Sequence, residues 1–189
     1  MLTVTRDIKI HSLLLLFLML TISACASSEE KFRENLSKGQ NALEANEHKK
    51  ATIHFKKALQ EKSQHAKAHF LLGEALLQQG NARKAFGAYQ RAVDLDPGLT
   101  KAQLQLARFY SSSGKLDKTV STCKTILKQD PENVDALLMY AQALARKKEI
   151  DKAIKRAEQA TKLAPKNVRA HVLLAQCYAS SGRLKVAED

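Results

Sequence analysis

Apolar and small residues recur along this chain at the three- and four-residue spacing of amphipathic helices, and the whole pattern repeats. The stretch 66–99 predicts two such helices, with a turn at Gly80 between them and Pro97 near its end. Pro131 and Pro165 follow Pro97 at successive intervals of 34 residues. The turn glycines share this period: Gly80, Gly114 and Gly182, with Lys148 in the gap. The chain is therefore predicted to repeat one helical hairpin.

A helix–turn–helix unit with a period of 34 residues resembles the tetratricopeptide repeat (TPR). The resemblance implies an all-α fold, an α-solenoid of antiparallel helix pairs in a right-handed superhelix. It predicts about four and a half repeats, at 32–65, 66–99, 100–133, 134–167 and 168–189, the last of them incomplete. In the third repeat Thr119, Cys123 and Ile126 depart from the pattern, which predicts looser packing of its second helix.

The break at Asp189 falls inside a predicted helix. An unpartnered repeat cannot bury its apolar face alone, so two explanations stand. The sequence is the N-terminal part of a longer array, which the position of the break favours, or the open end pairs with another protein or another copy.

The N-terminus predicts export. Arg6 and Lys9 precede an apolar run over 13–22, which is too short to span a bilayer. The run ends at Ile22-Ser23-Ala24-Cys25, which resembles a bacterial lipobox. The prediction is a lipoprotein signal peptide at 1–24, followed at 25–31 by lipidated Cys25 and a short tether. The alternative is an ordinary secretory signal with a chance cysteine.

The chain has a net charge of +12, and removal of residues 1–24 would leave +11. Outside the cytoplasm that charge favours anionic lipid, polysaccharide or an acidic protein, and nucleic acid is not expected as a partner. A basic cluster in the fourth repeat could meet headgroups, although interspersed acidic residues favour a solvated face. Its members are Arg146, Lys147, Lys148, Lys152, Lys155 and Arg156.

In TPR proteins, ligands usually lie along the concave surface and touch the second, fifth, ninth and twelfth places of each first helix. The second places here are basic except for Asp135, the fifth are apolar and the ninth are polar or charged. The residues carried over as partner-binding are Arg33, Leu36, Lys67, Phe70, Glu74, Lys101, Leu104, Arg108, Leu138, Gln142, Arg169 and Val172. An apolar track beside a basic ladder suits an extended acidic peptide or an anionic saccharide. Alternatively, the track packs against neighbouring helices and the ladder is a solvated rim.

No catalytic constellation, metal site or cofactor is predicted, and the chain is not expected to be an enzyme. His65 and His69 have a metal-binding spacing, but His65 falls in the loop before the helix and His69 occupies a place where TPR proteins pack a large aromatic residue. Cys123 and Cys177 belong to repeats too far apart for a disulfide and are predicted to be buried hydrophobes.

These features predict a lipid-anchored scaffold of the bacterial envelope that faces the periplasm and holds other proteins. The chain looks most like TPR lipoproteins that accompany exopolysaccharide export and PEP-CTERM surface-protein sorting. Ala26 is not the aspartate that retains such lipoproteins at the inner membrane, so the outer membrane is favoured. The alternatives are a pilus or secretin assembly lipoprotein, the N-terminal anchoring part of a longer envelope enzyme, and a binder of anionic polysaccharide.

Overall fold

The computed structural model describes residues 27–182, which form helices joined by short turns. The helices are α1 (27–44), α2 (His48–Glu61), α3 (Ala66–Gln78), α4 (Ala82–Leu95), α5 (Thr100–Ser112), α6 (Leu116–Gln129), α7 (Val134–Arg146), α8 (Ile150–Leu163) and α9 (Val168–Ser180). The predicted signal peptide, Cys25 and the last seven residues lie outside the described range.

The all-α, TPR-type architecture predicted from the 34-residue period is confirmed. The predicted tether at 25–31 needs a correction over its described part, because residues 27–31 are already helical. The ion pair between Glu29 and Arg33, one turn apart, supports this early start, and Glu29 also pairs with Lys62, the residue that follows α2. None of the helices in 27–182 combines the length and the hydrophobicity needed to cross a bilayer.

The chain divides into two compact units between Asn81 and Ala82. The division falls inside the second repeat, so that α1–α3 belong to the first unit and α4–α9 to the second. Within the second unit each helix packs against the next, and α7 also packs against α5 and α9.

The turns inside the repeats share one backbone feature, a residue in the left-handed region. Gly80 and Gly114 adopt φ values of 75° and 71°, which glycine accepts without steric cost. Asn46 and Lys148 take φ values of 58° and 63° at the equivalent places. The amide of Asn81, after Gly80, donates to the carbonyl of residue 76, which closes the helix end in a Schellman motif. The same reversal of the chain direction therefore recurs every 34 residues.

The core of the first unit depends on contact between α1 and α2 at Gly39. A Cβ atom added to Gly39 would lie 2.5 Å from the ring of Phe55, which is fully buried. Phe32 of α1 packs in the same unit with Ala58 of α2 and Ala68 of α3. Glycine at position 39 thus allows the aromatic ring of α2 to lie against the backbone of α1.

The third repeat packs as closely as the others. Thr119, Cys123 and Ile126 are all fully buried, so the prediction of looser packing in α6 was wrong. The hydroxyl of Thr119 donates to the carbonyl of Lys115 one turn earlier, which satisfies its polar group inside the core.

α3 begins with an unusual cap. The Nδ1 atom of His65 accepts a hydrogen bond from the amide of Ala68 at 3.1 Å, a role that Asn133 and Asn167 perform for α7 and α9. Burial lowers the pKa of His65 from its ordinary 6.5, and the nearby charge of Lys62 lowers this pKa further. The imidazole is therefore held in the neutral form that can accept the bond.

Two glycine substitutions should have opposite effects. We expect Gly39→Ala to lower the free energy of unfolding by about 1–3 kcal/mol, because its Cβ overlaps the Phe55 ring. Gly87→Ala, at an exposed helical position with nothing within 4 Å, should raise it by about 0.5–1 kcal/mol. Denaturant titration followed by circular dichroism measures both, and equal effects would contradict the close contact at Gly39.

Acidification should weaken the cap of α3. Because the pKa of His65 is lower in the folded than in the unfolded state, its contribution is complete above pH 6.5 and is lost as the pH falls through the folded value. His65→Asn keeps the acceptor but does not titrate, so we expect the stability of this variant to fall less than that of the parent chain between neutral and acidic pH. Parallel pH dependences of the two proteins would refute the capping role.

Candidate partner-binding groove

The first helices of the second unit, α5, α7 and α9, carry the predicted groove residues on matching faces. Their second, fifth and ninth places are spaced by three and four residues, so each set forms one stripe along its helix. The stripes are Lys101–Leu104–Arg108 on α5, Asp135–Leu138–Gln142 on α7 and Arg169–Val172–Gln176 on α9. Since α7 packs against both α5 and α9, the three stripes lie side by side.

An open cleft of about 220 Å³ lies between α7 and α9. It brings together four of the residues predicted from the repeat places: Leu138, Gln142, Arg169 and Val172. A second hollow, of about 530 Å³, shares Gln142, Leu173 and Gln176 with the first. The cleft is smaller than the 300–1,000 Å³ typical of small-molecule pockets, and its size suits one or two side chains of a peptide.

The walls of this cleft combine an apolar floor with a polar edge. Val172 is 49% exposed and Leu138 only 3%, so the valine offers the accessible apolar surface while the leucine closes the base. The fifth place of the first helix is therefore buried in α7 and exposed in α9. Leu104, on α5, packs against the core that contains Tyr140 and Cys177.

The charges of the groove are partly neutralised within the chain. Arg169 on α9 lies 3.7 Å from the carboxylate of Asp135 on α7, so the one acidic second place is paired with the next basic one. Lys101 and Arg108 are exposed and have no ion pair among the described residues. The surface of α5 thus supplies the two cations that remain available to an acidic partner, one on each side of Leu104.

The first unit carries the remaining predicted residues. Leu36 packs against the small core around Phe32, and Phe70 and Glu74 are half-buried on α3. Arg33 forms an ion pair with Glu29 at 2.9 Å, whereas Lys67 is exposed. In the first repeat, the apolar residue Leu36 thus packs against neighbouring helices and the basic residue Arg33 is paired within its own helix. Both observations agree with the alternative in which these residues do not bind a partner.

Sequence reasoning missed two residues of the cleft, Val168 and Leu173. Val168 is 74% exposed at the start of α9, which is unusual for a valine in a helix that otherwise packs on α7. An apolar residue in the first turn, ahead of the basic second place, was the available signal.

Two histidines, His69 and His171, hold the loop that precedes their own helix. His69 makes a hydrogen bond from Nε2 to the carbonyl of Ser63 at 2.9 Å, and His171 makes the equivalent bond to Pro165 at 2.8 Å. Gln103 donates to the carbonyl of Pro97 at 2.7 Å in the third repeat. Within residues 27–182 no group of three or more His, Cys, Asp and Glu side chains is arranged as a metal site.

Both described cysteines are free and buried, as predicted. Burial raises the pKa of Cys123 to about 12 and raises that of Cys177 in the same direction. Each thiol therefore stays protonated at neutral pH and serves as a small apolar group.

Comparison with known proteins agrees with this architecture. The profile of the family described as cytochrome c-type biogenesis protein H TPR domain matches residues 21–171. No curated protein matches the sequence. A crystal structure of MamA protein covers 85% of this chain and 87% of its own, with 18% identity and a TM-score of 0.77. A structure of MamA from Desulfovibrio magneticus RS-1, residues 41 to the end, covers 84% of this chain and 89% of its own, with 16% identity and a TM-score of 0.77. At these identities the likeness is one of fold, and a TPR fold implies protein partners.

The thiols provide a check on the packing that supports the groove. We expect neither Cys123 nor Cys177 to react with an aromatic disulfide reagent near pH 8 in the folded protein, because both are buried and protonated. Denaturant should expose two additional reactive thiols, whatever the state of Cys25. Rapid reaction of Cys177 before unfolding would show that the core beneath α9 is open.

Proposed function

Because the chain belongs to the family of the cytochrome c-type biogenesis protein H TPR domain, we propose that it is a non-catalytic scaffold that binds a partner protein along α5, α7 and α9. The observation that carries the proposal is the open cleft between α7 and α9, where predicted groove residues from two repeats converge. The cleft is a pocket for an apolar side chain, and the ordered helices on both sides give it a fixed shape.

The partner we propose is an extended peptide segment with an apolar side chain next to acidic ones. The apolar residue would enter beside Val172, and carboxylates would meet Lys101 and Arg108 on α5. A polysaccharide would use the cations but would leave the apolar wall exposed to water. The cleft therefore favours a protein partner.

We place this scaffold in the bacterial envelope, anchored through an acyl chain on Cys25 and facing the periplasm, with the outer membrane favoured over the inner. The support is the charged start, short apolar run and lipobox-like end of residues 1–25. One diacylglyceryl group with a further acyl chain is enough for stable attachment to a bilayer. In that place the scaffold would support assembly of an exopolysaccharide export or surface-protein sorting system.

The family description favours a second process, cytochrome c-type biogenesis. In that case the partner would be a protein of cytochrome c assembly, and the same groove would hold it. Pilus or secretin assembly and the anchoring of a longer enzyme stay open as alternatives from the sequence.

Photo-crosslinking in cells tests the groove directly. A photoreactive amino acid at Val172 or at Lys101 samples the cleft and the basic flank, and the exposed Lys162 of α8 provides the control. We expect capture of the same protein from positions 172 and 101 and none from position 162. Mass spectrometry of that protein would distinguish export, sorting and cytochrome c assembly.

Substitutions then separate the contribution of the apolar cleft to binding from that of the cations on α5. Val172→Asp places a charge in the apolar cleft and should reduce capture from position 101 by about tenfold or more, because burial of a valine is worth roughly 1.5 kcal/mol or more. Lys101→Glu with Arg108→Glu should reduce capture from position 172 and remove most of its salt dependence. Undiminished capture in both variants would refute the groove as the binding surface.

A further inference from the structure

The outward face of α2 carries an exposed isoleucine. Ile53 is 53% exposed, whereas the buried side of the same helix is formed by Ala51, Thr52, Phe55 and Ala58. An isolated exposed apolar residue needs no explanation by itself. The residues that surround Ile53 on the helix surface, however, form a pattern that needs an explanation.

Every helical neighbour of Ile53 on this face is a lysine. Residues three and four positions away lie beside a given residue on a helix surface. For Ile53 these are Lys49, Lys50, Lys56 and Lys57, and all four are exposed. Lys50 pairs with Glu47 at 2.7 Å, and the other three have no ion pair among the described residues. We call these five residues the α2 face.

The α2 face is unusual within its own chain. The same four flanking places are occupied by Arg83, Lys84, Gln90 and Arg91 in α4, by Asp117, Lys118, Lys124 and Thr125 in α6, and by Asp151, Lys152, Glu158 and Gln159 in α8. Their net charge falls from +4 in α2 to +3, +1 and −1 along the chain. The central place is Gly87, Ser121 or Lys155, so the isoleucine occurs only where the charge is greatest.

Four cations within two helical turns repel one another, and among the described residues Lys50 alone of the four forms an ion pair, with Glu47. A bilayer with anionic headgroups would remove this repulsion. Lysine side chains extend their ammonium groups to the phosphates while their apolar stems lie in the interface. An isoleucine at the centre of such a ring would then enter the headgroup layer, as apolar residues of interfacial helices do.

We propose that the α2 face lies on an anionic phospholipid surface, with Ile53 inserted and its four lysines in contact with the headgroups. This contact goes beyond binding in the groove and does not depend on it. Together with a lipid attached to the N-terminus, it would fix the orientation of the first unit on the membrane instead of leaving that unit free to rotate about its anchor.

A polarity-sensitive fluorophore attached at Ile53→Cys tests the contact. Ser121→Cys is the matched control, because it places the dye at the equivalent, exposed position of α6 with little change of side-chain size. Cys123 and Cys177 are buried and do not take the label, and any label on Cys25 is measured in the parent chain. The full chain is reconstituted in vesicles of phosphatidylcholine, with or without an equal part of phosphatidylglycerol, so that the N-terminal attachment is the same in both.

We expect the emission from position 53 to move to shorter wavelength on the anionic vesicles alone, and the emission from position 121 to be unchanged. Lys49→Gln and Lys57→Gln should each lower the ratio of docked to undocked protein by about fivefold, which corresponds to about 1 kcal/mol per lysine. High salt should act in the same direction. Emission from position 53 that is the same on both kinds of vesicle, or that is insensitive to the lysine substitutions, would overturn the proposal.

Discussion

Close contact between helices at one small, fully buried residue is the constraint on which this structure depends. The residues at this place are Ala51, Ala85, Thr119 and Ala153, one in each second helix, and none of them has any exposed surface. A larger side chain would push the second helix away from its neighbours, and the displacement would be repeated along the array. Threonine is tolerated because its hydroxyl bonds to the preceding turn of its own helix.

The groove follows from this close packing. When the second helices are held near their partners, the first helices α5, α7 and α9 lie side by side and present the same three places in register. How much of each stripe is exposed then depends on which helices cover it. Leu138 is covered and forms the base of the cleft, whereas Val172, at the equivalent place on α9, forms part of its wall.

Local signals in the sequence were enough to predict the hairpins, because prolines and turn glycines act within a few residues of their own position. Asn46 performs the same reversal but was not recognised, although asparagine is the residue other than glycine that most readily adopts a left-handed backbone. The roles of the groove residues were less predictable. The pairing of Asp135 with Arg169 and the burial of Leu138 depend on contacts between repeats, which a place within one repeat does not specify. The same holds for Thr119, Cys123 and Ile126, where the tertiary environment accepts residues that depart from the pattern.

The pattern of helix contacts also has a consequence for the rate of folding. The most extensive contacts described in each unit join helices that are adjacent in sequence, and in the second unit the next most extensive join helices two apart. Such an arrangement has a low contact order, so little chain entropy is lost before a native contact is gained. Folding can then nucleate at one hairpin and spread to its neighbours. A chain that emerges progressively during its synthesis can therefore fold hairpin by hairpin, before its last residues have been added.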